Sequence, residues 1–418
     1  MSKPIQIEVL VVGAGPVGLV TANLLADRGV RVAVIDKEQH ATTRSYACAL
    51  HPHSLELLER MGLLEEVLKL GYRINTVAFY DRKSRRAEAK LTDLSARHPF
   101  VVVLPQFAFE GMLAQRLAST GRAAIHWSHR LTDLRTGSDA VVATVEKLGE
   151  TSMGYGVSGW GWCVEGTVEF SAAFVVGADG RHSMARRLLG IQDEVFGSVE
   201  SFKVYEFEQK GDAGREVQVV LDKTSDVLWP LAETRSRWSF GREKPVAARE
   251  FPSKERSPWR VTDPEMDTAT RQELEHLIRE RAPWFKPHVS EVEWTTDVHF
   301  EHCLARELGR GRCWLVGDAA HQTGPAGMQS MNFGLTEADD LAGKLAEVLQ
   351  KGSSLSLLDS YPASHRDRWQ QILGGNSLSA REKTEPWIRE QAARILPCIP
   401  AAGPDLKHML GQLGLDVS

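Results

Sequence analysis

Three glycine-containing turns, each tied to an acid, are the parts of this chain whose residue types and spacing suit chemistry. The first is Gly13-x-Gly15-x-x-Gly18, inside VVGAGPVGLV, with Asp36 closing the next apolar run, VAVID. Gly13 permits a tight turn, Gly15 lets backbone approach a pyrophosphate, and Gly18 lets a helix pack close to the preceding strand. A carboxylate at Asp36 accepts hydrogen bonds from a ribose 2′-hydroxyl, which favours an unphosphorylated adenosine ribose. The second turn lies in FVVGADGRHSMAR, with Asp179, Arg181, Ser183 and Arg186. The third lies in CWLVGDAAHQTGPAGMQSMNFGLTEADDLA, with Gly317, Asp318, His321, Pro325, Gly327 and Asn332. Both read as strand, Gly, Asp, turn, helix. That places a carboxylate at the carboxyl end of a strand, where open α/β sheets bind ligands; it either accepts from sugar-type hydroxyls or caps the helix that follows.

The elements that must position these turns are legible around them. Val9 to Val12 is an aliphatic run that predicts a buried strand, the Ala-rich segment after Gly18 predicts a helix ending at Gly29, and Arg31 to Ile35 predicts a second strand. This is a βαβ unit with its phosphate turn. Downstream, SLELLERMGLLEEVLKLG predicts a helix, Arg73 to Phe79 a strand leaving the first lobe, and FVVVL (Phe100 to Leu104) another strand before Pro105 and Gln106. Alternation around Leu131 to Leu134 and Val141 to Val145 predicts antiparallel strands, and the Gly- and aromatic-rich segment 149–161 a long hairpin loop. Short alternating strands from Ser198 to Gly241 imply a second, sheet-based lobe. The charged stretch 243–265 reads as an exposed loop, RQELEHLIRERAP as a helix, and Phe333 to Leu349 as a long helix.

At 418 residues and 46.4 kDa the chain is long enough for two lobes. A net charge of -5 and a pI near 6.3 argue against a nucleic-acid or polybasic-membrane partner. No segment has the apolar length of a membrane span, and the N-terminus runs straight into the first strand, so a cytoplasmic protein without a leader is expected. The five cysteines form no C-x-x-C pair, so neither a disulfide framework nor a zinc site is expected.

With these motifs in view, nearly the whole chain resembles the FAD-dependent aromatic hydroxylases, the single-component (group A) flavin monooxygenases typified by para-hydroxybenzoate hydroxylase. The resemblance implies an α/β fold with three parts. A Rossmann-like FAD-binding (GR2-type) domain would comprise 1–72, 100–198 and 300–350. An inserted mixed β-sheet substrate domain would comprise 73–99 and 199–299, and a helical C-terminus 351–418. It further implies that Gly13, Gly15, Pro16, Val17, Gly18, Asp36 and Lys37 hold the ADP half of a non-covalent FAD. Arg44 and Gln106 would contact the pyrophosphate and ribityl region, and Gly317 and Asp318 the ribityl hydroxyls. Pro325, Gly327, Met331 and Asn332 would line the isoalloxazine, with Asp179 and Arg181 serving FAD and NAD(P)H. Met328 and Ser330 stand where the family carries glycines that permit close backbone approach to the flavin. The thioredoxin-like C-terminal domain carried by some relatives is not expected here, and a single dinucleotide fingerprint leaves NADPH or NADH open.

The activity so implied is hydroxylation of a hydrophobic aromatic or polycyclic substrate (a phenol, polyketide or indole type) by NAD(P)H and O₂ through a C4a-hydroperoxyflavin. The chemistry is the flavin's, so no catalytic side chain is assigned. Epoxidation, Baeyer–Villiger oxygenation, halogenation, simple oxidation and non-catalytic FAD binding stay open, as do monomer and homodimer. Substrate contacts are expected from the sheet lobe, with Val204, Phe207, Val219, Leu221, Leu228, Trp229 and Pro230 as candidates whose register decides which face the cavity. Trp160-Gly161-Trp162 continues into Cys163-Val164-Glu165 and reads as a hairpin aromatic cluster rather than a halogenase signature. The histidines show no ligand spacing with Asp or Glu.

Overall fold

The computed structural model describes residues 3–41, 47–153, 159–197, 199–242, 264–324, 326–374 and 378–417. Five strands form the spine of the dinucleotide lobe, in the order Cys313–Leu315, Gly159–Gly177, Ile5–Val12, Val32–Ile35 and Ala123–His126. Every neighbouring pair among them is parallel. Their sequences explain this, because Val9, Leu10, Val11 and Val34 are fully buried and continuous apolar runs suit strands covered on both faces. The helix Pro16–Asp27 follows the first strand, and its opening proline occupies a position whose N–H has no helical partner. The helix Gln329–Lys351 packs against it so closely that a Cβ at Gly334 would sit 2.8 Å from Val17 Cγ2 and 2.9 Å from Gly317 Cα.

The strand Gly159–Gly177 changes partner along its length. It pairs antiparallel with Val141–Met153, then parallel with Ile5–Val12. Much of the expected 149–161 loop is therefore paired strand, with Gly149 opposite Cys163 and Thr151 opposite Gly161. Residues 154–158 and the side chains of Trp160 and Trp162 lie outside the described residues, as does 243–263 of the expected exposed loop. The helix expected over SLELLERMGLLEEVLKLG is two helices, Pro52–Arg60 and Leu64–Leu70. Gly62 separates them at φ 72°, a left-handed conformation that ends a helix and that glycine adopts without steric cost.

The second lobe is a seven-stranded sheet. Its order is His288–Phe300, Glu200–Lys210, Arg235–Gly241, Ser225–Ala232, Glu216–Leu221, Thr76–Tyr80 and Arg85–Lys90. All pairs are antiparallel except Glu216–Leu221 with Thr76–Tyr80, which makes it a mixed sheet. The helix Pro264–Arg281 covers one face, where Leu274 and Ile278 pack on Tyr205, Phe207, Trp238 and Phe240. The other face is partly covered by the C-terminal segment, with Ile388, Ile395, Met409 and Leu410 against Phe79, Val219, Leu221 and Trp229. That segment is not purely helical, since Leu378–Ala380 pairs with Leu415–Val417. Nor does it serve one lobe, because Tyr361 and Trp369 belong to the core of the dinucleotide lobe. Ile395 is fully buried at the contact between tail and sheet. Ile395→Ala should lower the unfolding free energy by about 2–5 kcal/mol in a urea titration, the usual cost of a large-to-small core change.

Candidate cofactor and substrate site

The first turn is built for close approach. Gly13 sits at φ 108°, and a Cβ there would lie 2.3 Å from the Ala178 carbonyl oxygen. A Cβ on Gly18 would lie 2.0 Å from the Gly13 carbonyl oxygen, whereas one on Gly15 would meet nothing within 4 Å. Two glycines thus pack backbone on backbone, and the third leaves open space where an anion can reach the helix start. Asp36 closes the second strand as expected. Its carboxylate accepts from Ala14 N at 2.6 Å and Glu38 N at 2.9 Å, and an ionised carboxylate has room for further donors. Lys37 is exposed beside it. Arg44 and Pro325 lie outside the described residues.

The two Gly-Asp turns separate in role. Asp179 caps its own helix, Met184–Leu188, accepting from Met184 N at 2.6 Å and Ala185 N at 3.0 Å and from the Ser183 hydroxyl. Arg181 donates to the His299 carbonyl at 2.8 Å and pairs with Glu301, so this turn braces the sheet lobe against the dinucleotide lobe. Arg186, nearly buried, reaches the Ala319 carbonyl at 2.7 Å and so joins the second turn to the third. In the third turn Asp318 lines a cavity, and burial pushes its carboxyl up despite the opposing pull of His321. Behind it, Glu337 on the long helix is fully buried and accepts from Gly317 N at 3.0 Å, His321 Nε2 at 2.7 Å and Trp369 Nε1 at 3.1 Å. Burial alone would raise the Glu337 carboxyl, but His321 and the Gly317 N–H hold it below the usual carboxylate range.

The loop before the long helix is held from two sides. Asn332 accepts from His51 N at 2.8 Å and Ser54 Oγ at 2.7 Å, and donates to the Ala49 and Met328 carbonyls. His51 Nε2 donates to the Gly327 carbonyl at 2.9 Å. From the other side, Gln329 Nε2 donates to the Ile399 carbonyl at 3.0 Å, and a Cβ on Gly327 would lie 2.4 Å from the Pro397 carbonyl oxygen. Gly327 and Asn332 thus fix the loop from behind, while Met331 lines the cavity. Met328 takes φ 50°, the left-handed conformation that the family's glycine would adopt freely.

The cavity, about 420 Å³, lies between the lobes. Gln106, Asp318, Gln322 and Met331 form one side, and Val204, Arg237, Trp294 and Phe300 the other. Of the seven expected substrate contacts, Val204 lines it. Phe207 and Leu228 are turned the opposite way, into the core beneath the helix Pro264–Arg281. The cause is strand alternation, since Val204 and Phe207 lie an odd number of positions apart and regular β backbone sends such residues to opposite faces. Val219, Leu221 and Trp229 share the cavity's face but are packed under the C-terminal segment. Pro230 is buried opposite Ser236. Among the described residues no group of His, Cys, Asp or Glu could hold a metal ion, and no helix is long and apolar enough to cross a membrane.

A family model for an FAD binding domain matches residues 6–375. The chain belongs to the FAD-dependent aromatic hydroxylase family. It is 30% identical over 386 residues to 6-methylpretetramide 4-monooxygenase of Streptomyces rimosus, covering 89% of this chain and 60% of that relative. It is 27% identical to pentachlorophenol 4-monooxygenase of Sphingobium chlorophenolicum, covering 88% of this chain and 63% of that one. The chain therefore spans under two thirds of the length of these two relatives. In fold it matches p-nitrophenol 4-monooxygenase of Pseudomonas putida with a TM-score of 0.74 at 22% identity, covering 98% and 97% of the two chains. The residues present fit the family's flavin: a glycine turn with space reserved at Gly15, an acid at Asp36, and a half-buried carboxylate at Asp318 lining the cavity.

In this hydroxylase-family chain Gly18→Ala should weaken FAD binding by roughly 10- to 100-fold, because the added methyl forces the turn off its helix, an overpacking cost of about 1–3 kcal/mol; flavin fluorescence titration reads it. His51 gives a pH signature. Burial lowers its pKa to about 3, against the Gly327 hydrogen bond that raises it. Its folded pKa is below the unfolded one, so stability is lost as pH falls from about 6.5 towards about 3. In His51→Gln, urea denaturation at about pH 7 and pH 5 should show a smaller acid loss than the parent.

Proposed function

We propose that the chain is an FAD-dependent monooxygenase that uses NAD(P)H and O₂ to hydroxylate a hydrophobic aromatic substrate. The observation that carries this reading is the cavity itself. One of its walls carries the residues that suit a flavin, Asp318, Gln106 and Met331, and the facing wall is the largely apolar Val204, Trp294, Val298 and Phe300. A volume of about 420 Å³ falls in the range of small-molecule sites.

The chain's own residues have four tasks. The turn of Gly13, Gly15 and Gly18 binds the pyrophosphate at the start of the helix Pro16–Asp27, and Asp36 orients the adenosine ribose. Asp318 accepts from the ribityl hydroxyls, and such donors offset the burial that raises its carboxyl. The long helix starts at Gln329 beside the cavity, so its positive end favours negative charge gathering there. The apolar wall excludes water and orients the ring. When bound, FAD supplies hydride acceptance from NAD(P)H and the activation of O₂ for transfer to the substrate. Epoxidation and Baeyer–Villiger transfer use the same walls and differ in the substrate bond presented.

The test is a visible spectrum of purified protein, followed by NADPH and then NADH in air with a panel of phenols and fused-ring aromatics. Bleaching and recovery of the yellow colour, faster with a bound aromatic and with ¹⁸O from O₂ in the product, is expected. A protein that takes up no FAD, or consumes reductant with no label in any product, would overturn the reading. Asp318→Asn should lower FAD affinity roughly 10- to 100-fold, the worth of about 1.5–3 kcal/mol for a hydrogen bond to a charged group, read by calorimetric titration.

A further inference from the structure

Ser330 stands where the family commonly reads glycine, so this chain carries a hydroxyl at a point of the cavity wall where glycine would leave none. On the helix Gln329–Lys351, Ser330, Gly334 and Glu337 are spaced four and three apart and share one face. That face lies along the third turn. A Cβ at Gly334 would sit 2.9 Å from Gly317 Cα, and Glu337 accepts from Gly317 N at 3.0 Å. Ser330, one turn nearer the helix start, is thereby set beside Asp318, and both line the cavity. Burial is the largest influence on Asp318 and pushes its carboxyl up. His321, from the short strand, draws it down, while Glu337, from the long helix, pushes it up. These two are paired with each other at 2.7 Å, so their opposite pulls on Asp318 partly cancel. Arg181, from the second turn, also draws it down but is engaged by Glu301 at 3.2 Å. The Ser330 oxygen is buried and closes no hydrogen bond of ordinary length among the described residues, yet it stands near enough to help hold the Asp318 carboxyl down. A serine hydroxyl rotates to suit its acceptor, and the neighbouring carboxylate is the acceptor on offer.

We propose that Ser330 is a positioning residue for the flavin site, its hydroxyl donating to the Asp318 carboxylate and holding it as the acceptor for a ribityl hydroxyl. A donor to the charged form of an acid opposes protonation, so the carboxylate persists to lower pH than burial alone would allow. A protonated Asp318 presents an O–H of its own and accepts less well, so FAD is released as pH falls through its titration. Ser330 therefore widens, on the acid side, the pH range over which the chain retains FAD. The proposal rests on the reading that Asp318 accepts from the ribityl chain, and it needs no oxygenation step.

The experiment is fluorescence titration of the flavin-stripped full chain with FAD, at about pH 8 and about pH 5, in the parent and in Ser330 variants. Ser330→Ala should lose at least about threefold more affinity than the parent between the two pH values, while matching it within about twofold at the higher one. Ser330→Gly, which restores the family's residue, should show the same extra acid loss; if Ser330→Ala does not fold, Ser330→Gly decides. Ser330→Thr, which keeps the hydroxyl, should return the parent profile. In an Asp318→Asn background, Ser330→Ala should change affinity by less than about twofold at either pH, because the group through which it acts has gone. Superimposed profiles for parent and Ser330→Ala overturn the proposal. So does a loss of equal size at both pH values, which marks a packing effect, or a full acid loss of Ser330→Ala that persists in Asp318→Asn. An Asp318→Asn that binds FAD as tightly as the parent at both pH values overturns the ribityl reading itself, whereas a normal Asp318→Asn loss with unshifted Ser330 profiles overturns this proposal alone. Binding needs no turnover, so a failed monooxygenase assay leaves the result readable.

Discussion

The buried carboxylate of Glu337 is the constraint on which the site depends. It is the common acceptor for the backbone of Gly317, the ring of His321 and the indole of Trp369. Those three donors come from the third turn, the short strand after it and the C-terminal segment. A charge with no solvent access is tolerable only when each of its lone pairs is met, and removal of any one donor leaves the others to carry an under-solvated anion. The stack of His321 on Trp369, 3.8 Å between centroids, closes the cluster. Asp318 is therefore aimed into the cavity by atoms behind it, none of which need touch a ligand. The close packing of Gly334 on Val17 and Gly317 sets the distance at which the helix bearing Glu337 can stand.

The same logic separates the two Gly-Asp turns that look alike in sequence. Both put an acid at the end of a strand, but Asp179 has three donors from its own helix start, whereas Asp318 has its neighbourhood's polar atoms arranged behind it. The first is a brace, extended by Arg181 to His299 and by Arg186 to Ala319. The second lines the cavity between the lobes. Which acid plays which part is decided by what the next few residues fold into, and Ser183 at the cap of Met184–Leu188 is the residue that claims Asp179.

Much of this was legible in the chain. The βαβ unit follows from continuous aliphatic runs and glycine spacing, both local signals, and the structure reproduces it nearly residue for residue. The second lobe as a sheet followed from alternation. What alternation could not say was phase: Val204 and Phe207 were equally apolar, and only pairing with Ser239 and Thr296 turns Val204 inward. Tertiary pairing also made strand of residues 149–153 and 159–161 of the glycine-rich segment, because the two arms pair with each other from Gly149 opposite Cys163 to Met153 opposite Gly159. Glu337 and Gln322 carried no sequence signal, since a polar residue in a helix or strand reads as solvated until its neighbours are known.

Met328 shows how such a chain can depart from its family's glycine and keep the loop. A non-glycine residue at φ 50° carries a cost of order 1 kcal/mol, which must be offset by contacts that over-determine the conformation. They are present on both sides: Asn332 binds the Met328 carbonyl, His51 the adjoining Gly327 carbonyl, and Gln329 the Ile399 carbonyl of the C-terminal segment. Gly327 cannot be replaced in turn, because the tail backbone already fills the space of a Cβ. The consequence is a loop whose cavity-lining geometry is set by the docking of residues 397–399, and therefore by the packing of Ile395 and Met409 on the sheet lobe. The loop is thus held through contacts with both the His51 region and the tail, and the Met328 side chain presents an apolar surface to the cavity.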